Sequence, residues 1–178
     1  DEISNILEWL NSDLGKKITQ LENEASTAQG QQNMMAQAES LMKNQELVAK
    51  MQEFDSALKM TDQTMMFTKN AQIALMGGVM AYAPKEQKMS FEQIESLVDA
   101  QEPMIKQQLS TQVLLSLLYS YQTLSDEQFE QYNQFLTSKT GRKYVDATLA
   151  GIDLAMSKAA RKAGSALARV EAEAKKAN

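Results

Sequence analysis

Residues 9–17 read WLNSDLGKK and residues 135–143 read FLTSKTGRK, so one nine-residue pattern is written twice, 126 positions apart. Four of the nine positions are identical and two more keep their chemical class. A serine with glycine three residues on and basic residues after it reads as a helix start, because an N-cap hydroxyl accepts from a backbone N–H two or three residues ahead. The aromatic and the leucine before it belong to the end of a preceding helix. Each copy is therefore a corner: short helix, tight turn at the serine, long helix. Two such corners in 178 residues commit the chain to helices.

The surrounding pattern agrees. Ser125 with Gln128 forms a capping box, followed by Phe129, Tyr132, Phe135 and Leu136 on one helical face. After Ser138, a long helix carries Tyr144, Val145, Leu149 and Ile152, then fades into alanine. In the first copy Ile3, Ile6, Leu7 and Leu10 make the short helix, and Leu14, Ile18, Leu21 and Ala25 follow Ser12. This copy opens at Asp1, almost at its own N-cap, so further helical sequence or a cleaved signal peptide is expected upstream. Between the copies the pattern predicts helix over 34–60, broken near Lys43-Asn44, and again from Thr61 or Asp62 to Tyr82. Pro84 stops that segment, since the residue before proline avoids the α region. Ser90 with Gln93 caps a short helix, and Pro103 sits in the tolerant first turn of a helix running to Tyr121. With two prolines and an excess of straight-chain residues, the expectation is one all-α domain over 1–178. It is a multi-helix bundle of about seven or eight helices. Corner motifs occupy 1–25 and 125–150, segments 71–83 and 113–121 sit at the centre, and a basic Ala-rich helical tail spans 158–178.

The doubled corner resembles the signature of a family of exported bacterial proteins catalogued as domain of unknown function 2059. SDEQFEQYNQFLTSKTGRKYV at 125–145 and DEISNILEWLNSDLGKKI at 1–18 carry the likeness: an acidic helix start, an aromatic, then Ser-Pro-x-Gly and basic residues. Asp13 and Lys139 stand where the family usually has proline. The resemblance covers two short blocks, about a quarter of the chain. It implies an α-helical fold and a periplasmic address with the signal peptide removed. It implies no activity and supplies no site residues.

Composition narrows the chemistry. The chain has no histidine and no cysteine. That removes Ser-His and Cys-His nucleophile systems, thiolate and imidazole zinc sites, disulfides and iron–sulfur clusters. A net charge of −5 argues against nucleic acid as a partner. The charge is uneven, since residues 139–178 hold nine Lys/Arg against four Asp/Glu. No apolar run reaches the length of a transmembrane segment. No cofactor is expected.

Four constellations remain. Ser12, Gly15 and Lys16, with Ser138, Gly141, Arg142 and Lys143, form either a structural corner or an anion site, because a helix N-terminus offers N–H groups and a positive dipole end. Lys139, Arg142 and Lys143 crowd a helix start where cations are unfavourable, so an acid is expected nearby, with Asp126, Glu127 and Glu130 as candidates. Met65, Met66, Met76, Gly77, Gly78 and Met80 read as ordinary core, as the lining of an apolar ligand pocket, or more remotely as a thioether copper site. Gly77-Gly78 costs a helix about 2 kcal/mol, which close approach of another helix would offset. Carboxylates such as Glu92/Glu95 sit at capped helix starts, where the dipole explains them. Arg161, Lys162, Arg169, Lys175 and Lys176 in the tail are interleaved with alanine, as a solvated face or a homo-oligomer contact through long helices. Three functions follow in order of preference. The first is a non-enzymatic periplasmic module that binds another envelope component. The second is a carrier or sensor of a small apolar or lipid ligand, and the third a carboxylate- or Lys-based enzyme.

Overall fold

The computed structural model describes residues 1–177, with side chains described except at Glu171, Ala172 and 174–177. The Lys175–Lys176 end of the basic tail lies outside the described side chains. The elements are α1 (Glu2–Asn11), α2 (Asp13–Ser26), α3 (Ala28–Lys43), α4 (Gln45–Leu58) and α5 (Met60–Met80), then a 3-10 turn (Lys85–Gln87). They continue with α6 (Phe91–Asp99), α7 (Glu102–Tyr121), α8 (Asp126–Thr137) and α9 (Lys139–Ala177). Among the described residues there are nine helices and no strand, an all-α fold. The count runs above seven or eight because Asn44 makes a complete break. Its side chain caps α4 by accepting from the Leu47 N–H at 3.1 Å.

Local chemistry sets most boundaries. Both capping boxes, Ser90/Gln93 and Ser125/Gln128, are formed in full. Lys59 ends α4 in the left-handed region (φ 55, ψ 37), a conformation costing a non-glycine residue roughly 1–2 kcal/mol. Asp55 offsets that strain by accepting from the Thr61 N–H at 2.7 Å and the Thr61 hydroxyl at 2.6 Å.

The chain divides into two compact units, each assembled from two stretches. The first unit comprises residues 1–61 and 110–147, the second 62–109 and the chain from 148 onward. In the first, Ile18, Leu41, Met51, Phe54, Leu118 and Phe129 are central members of a ten-residue apolar core. Met51 and Leu118 are fully buried, and the Phe54 ring lies 4.9 Å from that of Phe129. Segment 113–121 lies in this core as expected, with Leu117, Leu118, Ser120 and Tyr121 buried.

The second unit has a thinner core of Met65, Phe67, Ala74, Ile94, Val98 and Ala168. Segment 71–83 differs from expectation, since only Ala74 and Gly78 are buried along it. Freedom from charge made the run look central, but α5 buries one strip and leaves Gly77 in the open. Within this unit Lys69 pairs with Asp99 at 2.5 Å, Lys106 with Asp62 at 2.7 Å, and Asn70 donates to Asp153 at 2.9 Å.

Candidate functional site

At each corner the serine is used twice. The Ser12 hydroxyl donates to the Trp9 carbonyl at 2.6 Å and accepts from the Gly15 N–H at 3.0 Å. Ser138 repeats this with the Phe135 carbonyl at 2.6 Å and Gly141 at 3.0 Å. The backbone at both serines has φ −64 and ψ 159, so the two turns superpose in conformation. The glycines are there because the incoming helix passes over them. A Cβ on Gly15 would collide with the Trp9 carbonyl, and one on Gly141 with the Phe135 carbonyl.

A third corner lies between α2 and α3. Thr27 donates to the Glu24 carbonyl at 2.7 Å and accepts from Gly30 at 2.9 Å, while a Gly30 Cβ would strike the Glu24 carbonyl. Its signal was a hydroxyl residue followed three positions later by glycine. Thr27 replaced serine, and the aromatic and the basic residues were missing.

The two written copies also pack on one another. Trp9 and Phe135, equivalent positions 126 apart, stack with centroids 4.5 Å apart and planes 9° from parallel. Lys17 donates to Gln128 at 2.8 Å, and Lys143, its counterpart, donates to Glu2 at 2.8 Å, where Glu2 is the counterpart of Gln128. Reciprocal contacts between equivalent positions define a two-fold arrangement. The first unit is thus organised as an internal pseudo-dimer of corners.

Residues 1–44 match a family model described as "Uncharacterized protein conserved in bacteria (DUF2059)". That stretch carries the first written corner and the Thr27 corner. No curated protein and no solved structure matches the chain.

The pairing decides where the crowded cations of the second corner find an acid. Lys143 meets Glu2 of the first copy and holds its carboxyl below the usual carboxylate range through a hydrogen bond and charge. The expected local acids are engaged elsewhere. Asp126 pairs with Lys50 at 2.6 Å, which likewise holds its carboxyl low, and Glu130 accepts from Gln134. Arg142 turns back to donate to the Thr137 carbonyl at 3.1 Å. Gly15 and Gly141 are buried, whereas Lys16 and Arg142 are exposed.

The methionine set is spread out. Met65 and Met66 line a cleft of about 310 Å3 together with four charged residues, Asp62, Lys69, Glu102 and Lys106. Met76 and Met80 are half-buried further along α5 and do not line it. The two adjacent glycines have different roles. Gly78 faces the Arg161 carbonyl of α9, and Gly164 reciprocates against the Leu75 carbonyl, so α5 and α9 meet backbone to backbone. Gly77 has open space around it. Gly77→Ala is therefore expected to raise stability by about 0.8–1 kcal/mol. Gly78→Ala is expected to lower it by about 1–3 kcal/mol. Urea midpoints of the two variants check this, and two changes of the same sign would contradict it.

Two further features went unread in sequence. Tyr121 and Tyr132 both donate to Glu22, at 2.6 and 2.8 Å, linking α2, α7 and α8. The outer face of α9 is apolar as well, with Ile152, Met156, Leu167 and Val170 exposed. Among the described residues no three acidic side chains converge to hold a metal ion. None of the helices described is long and apolar enough to cross a membrane.

Proposed function

We propose that the protein is a non-enzymatic helical binding module of the periplasm. It engages an acidic amphipathic helix of another envelope protein through the outer face of α9. The observation that carries this reading is the exposure of Ile152 (42%), Met156 (41%), Leu167 (57%) and Val170 (65%). With Ala159 and Ala163 they recur at steps of three or four residues, with Ala166 beside Leu167 widening the stripe, over about 27 Å of helix. Gly164 and Ala168 lie on a different face, buried. An exposed apolar stripe of this extent marks an interaction surface.

Charge selects the occupant. Lys158, Lys162 and Arg169 are exposed and line one edge of the stripe. A second copy would bring two basic edges together, whereas an acidic helix would neutralise them while burying its apolar side. The test is fluorescence anisotropy with a labelled amphipathic Leu/Glu peptide and its Leu/Lys counterpart. The acidic peptide is expected to bind, more weakly as salt rises, and Lys158→Glu/Lys162→Glu/Arg169→Glu is expected to weaken it about tenfold. Equal binding of both peptides would sink the proposal. So would a dimer abolished by Leu167→Ser in sedimentation, or binding confined to anionic vesicles.

A further inference from the structure

We infer that the cavity between α2, α3, α7 and Met60 at the start of α5, in the first unit, binds a small hydroxylated primary amine, with Glu22 as its counter-ion. The cavity measures about 290 Å3, and Glu22, Gln31, Met60, Ser116, Ser120 and Tyr121 are prominent in its wall. Glu22 is the one formally charged residue lining it. The Ser26 hydroxyl donates to the Asn23 carbonyl at 2.7 Å and the Gln31 amide to the Ala25 carbonyl at 2.8 Å. Each thus offers a ligand hydroxyl its oxygen as acceptor, beside the Ser116 and Ser120 hydroxyls. The Tyr121 ring suits a cation as well.

Three observations separate this from a merely structural role for the carboxylate. First, the Tyr121 and Tyr132 hydroxyls both donate to the same oxygen, Oε1, and neither uses Oε2. Second, two tyrosine donors could be satisfied by the carbonyl oxygen of a glutamine. A carboxylate costs more to withdraw from water, so a charge at this place is unexplained by the tyrosines. Third, the internal two-fold supplies a control. The position equivalent to Glu22 in the second copy is Thr148, and the position equivalent to Tyr132 in the first is Ile6. The motif is therefore written without a Glu–Tyr pair at the equivalent positions, so the pair is not a requirement of the corner itself. Burial raises both phenols well above their ordinary range, so they remain protonated donors that hold Glu22 in place.

Methionine-methyl NMR on the full chain tests the inference, because Met60 lies in the cavity wall while exposed Met104 does not. Ethanolamine is expected to shift the Met60 signal saturably and leave Met104 still, whereas uncharged ethylene glycol is expected to do neither. Glu22→Gln keeps an acceptor for the tyrosines and is expected to weaken the response about 10–100-fold, the worth of one charged hydrogen bond. An unchanged Met51 signal would show that its core is intact. Ser116→Leu fills the cavity without touching Glu22 and is expected to abolish the response as well. Glycerophosphoethanolamine distinguishes sources: a stronger response than ethanolamine assigns the amine to a lipid headgroup, a weaker one to a free ligand. Equal responses to ethanolamine and ethylene glycol, an undiminished response in Glu22→Gln, or no movement of Met60 would each overturn it.

Discussion

Gly15→Ala and Gly141→Ala are each expected to cost about 3 kcal/mol, the upper end of what overpacking does, because the obstruction is backbone. In a protein of this length that lowers the melting midpoint by about 6–12 °C. The sign is the informative part. Alanine in a helix ordinarily gains up to about 1 kcal/mol over glycine, so propensity alone predicts stabilisation. Here the added Cβ meets the Trp9 or the Phe135 carbonyl, neither of which can swing away without opening the corner. Trp9 is the only tryptophan and stacks on Phe135, so its fluorescence reports the corners directly during a urea titration. Ser12→Ala, which removes only the cap, is expected to cost about 1 kcal/mol. The double glycine variant is expected to depart from additivity, since the two corners touch. A rise in the midpoint for either single variant would refute the close-approach account.

Raising the pH above about 10 is expected to destabilise the first unit by about 2.7 kcal/mol per pH unit, from Tyr121 and Tyr132 together. The cause is burial foremost, which raises both phenols in the folded chain; next come Tyr132 and then the Glu22 charge for Tyr121, and the Glu22 charge for Tyr132. Below pH ~10 both folded and unfolded chains keep both phenolic protons, so these groups make stability neither rise nor fall. Above it the unfolded chain releases protons that the folded one retains, and the balance moves toward unfolding. Urea midpoints at pH 9, 10, 10.5 and 11 measure the slope. Tyr121→Phe and Tyr132→Phe are each expected to remove about half of it. Lys69 and Lys106, raised by Asp99 and Asp62, act in the same direction, but they belong to the second unit. A flat profile through pH 11 would mean that the tyrosines ionise in place.

The features legible in the sequence were those whose partners lie within a few residues. The capping boxes at Ser90 and Ser125, and the doubled hydrogen bonds of Ser12 and Ser138, are local and appear as read. The Thr27 corner is equally local, but it keeps only the hydroxyl and the glycine of the pattern and lacks its aromatic and basic residues. The acid opposite Lys143 is not Asp126, Glu127 or Glu130, its neighbours in sequence, but Glu2, 141 positions away. Hydropathy misplaced 71–83 because an uncharged run states a preference for burial, not the surface available to satisfy it. Gly164 sits in the Ala-rich tail without any local signal, yet it lets α9 seat against α5. Of the candidate site residues, the sequence brought the corner sets into view. It offered no sign of the Glu22 cluster, whose members come from three helices.

By itself the sequence determined the all-helical class, where most helices start and stop, and the existence of two equivalent corners. Propensity, capping and steric stops act over three to six residues and do not depend on the rest of the molecule. Only the tertiary structure decided that the two copies face each other as a pseudo-dimer, that Gly78 and not Gly77 is indispensable, and which apolar stripe stays in water. The contacts behind them join residues far apart in the chain, from Gly78 against Arg161 to Trp9 against Phe135, where many partners of similar chemistry compete and packing geometry selects among them.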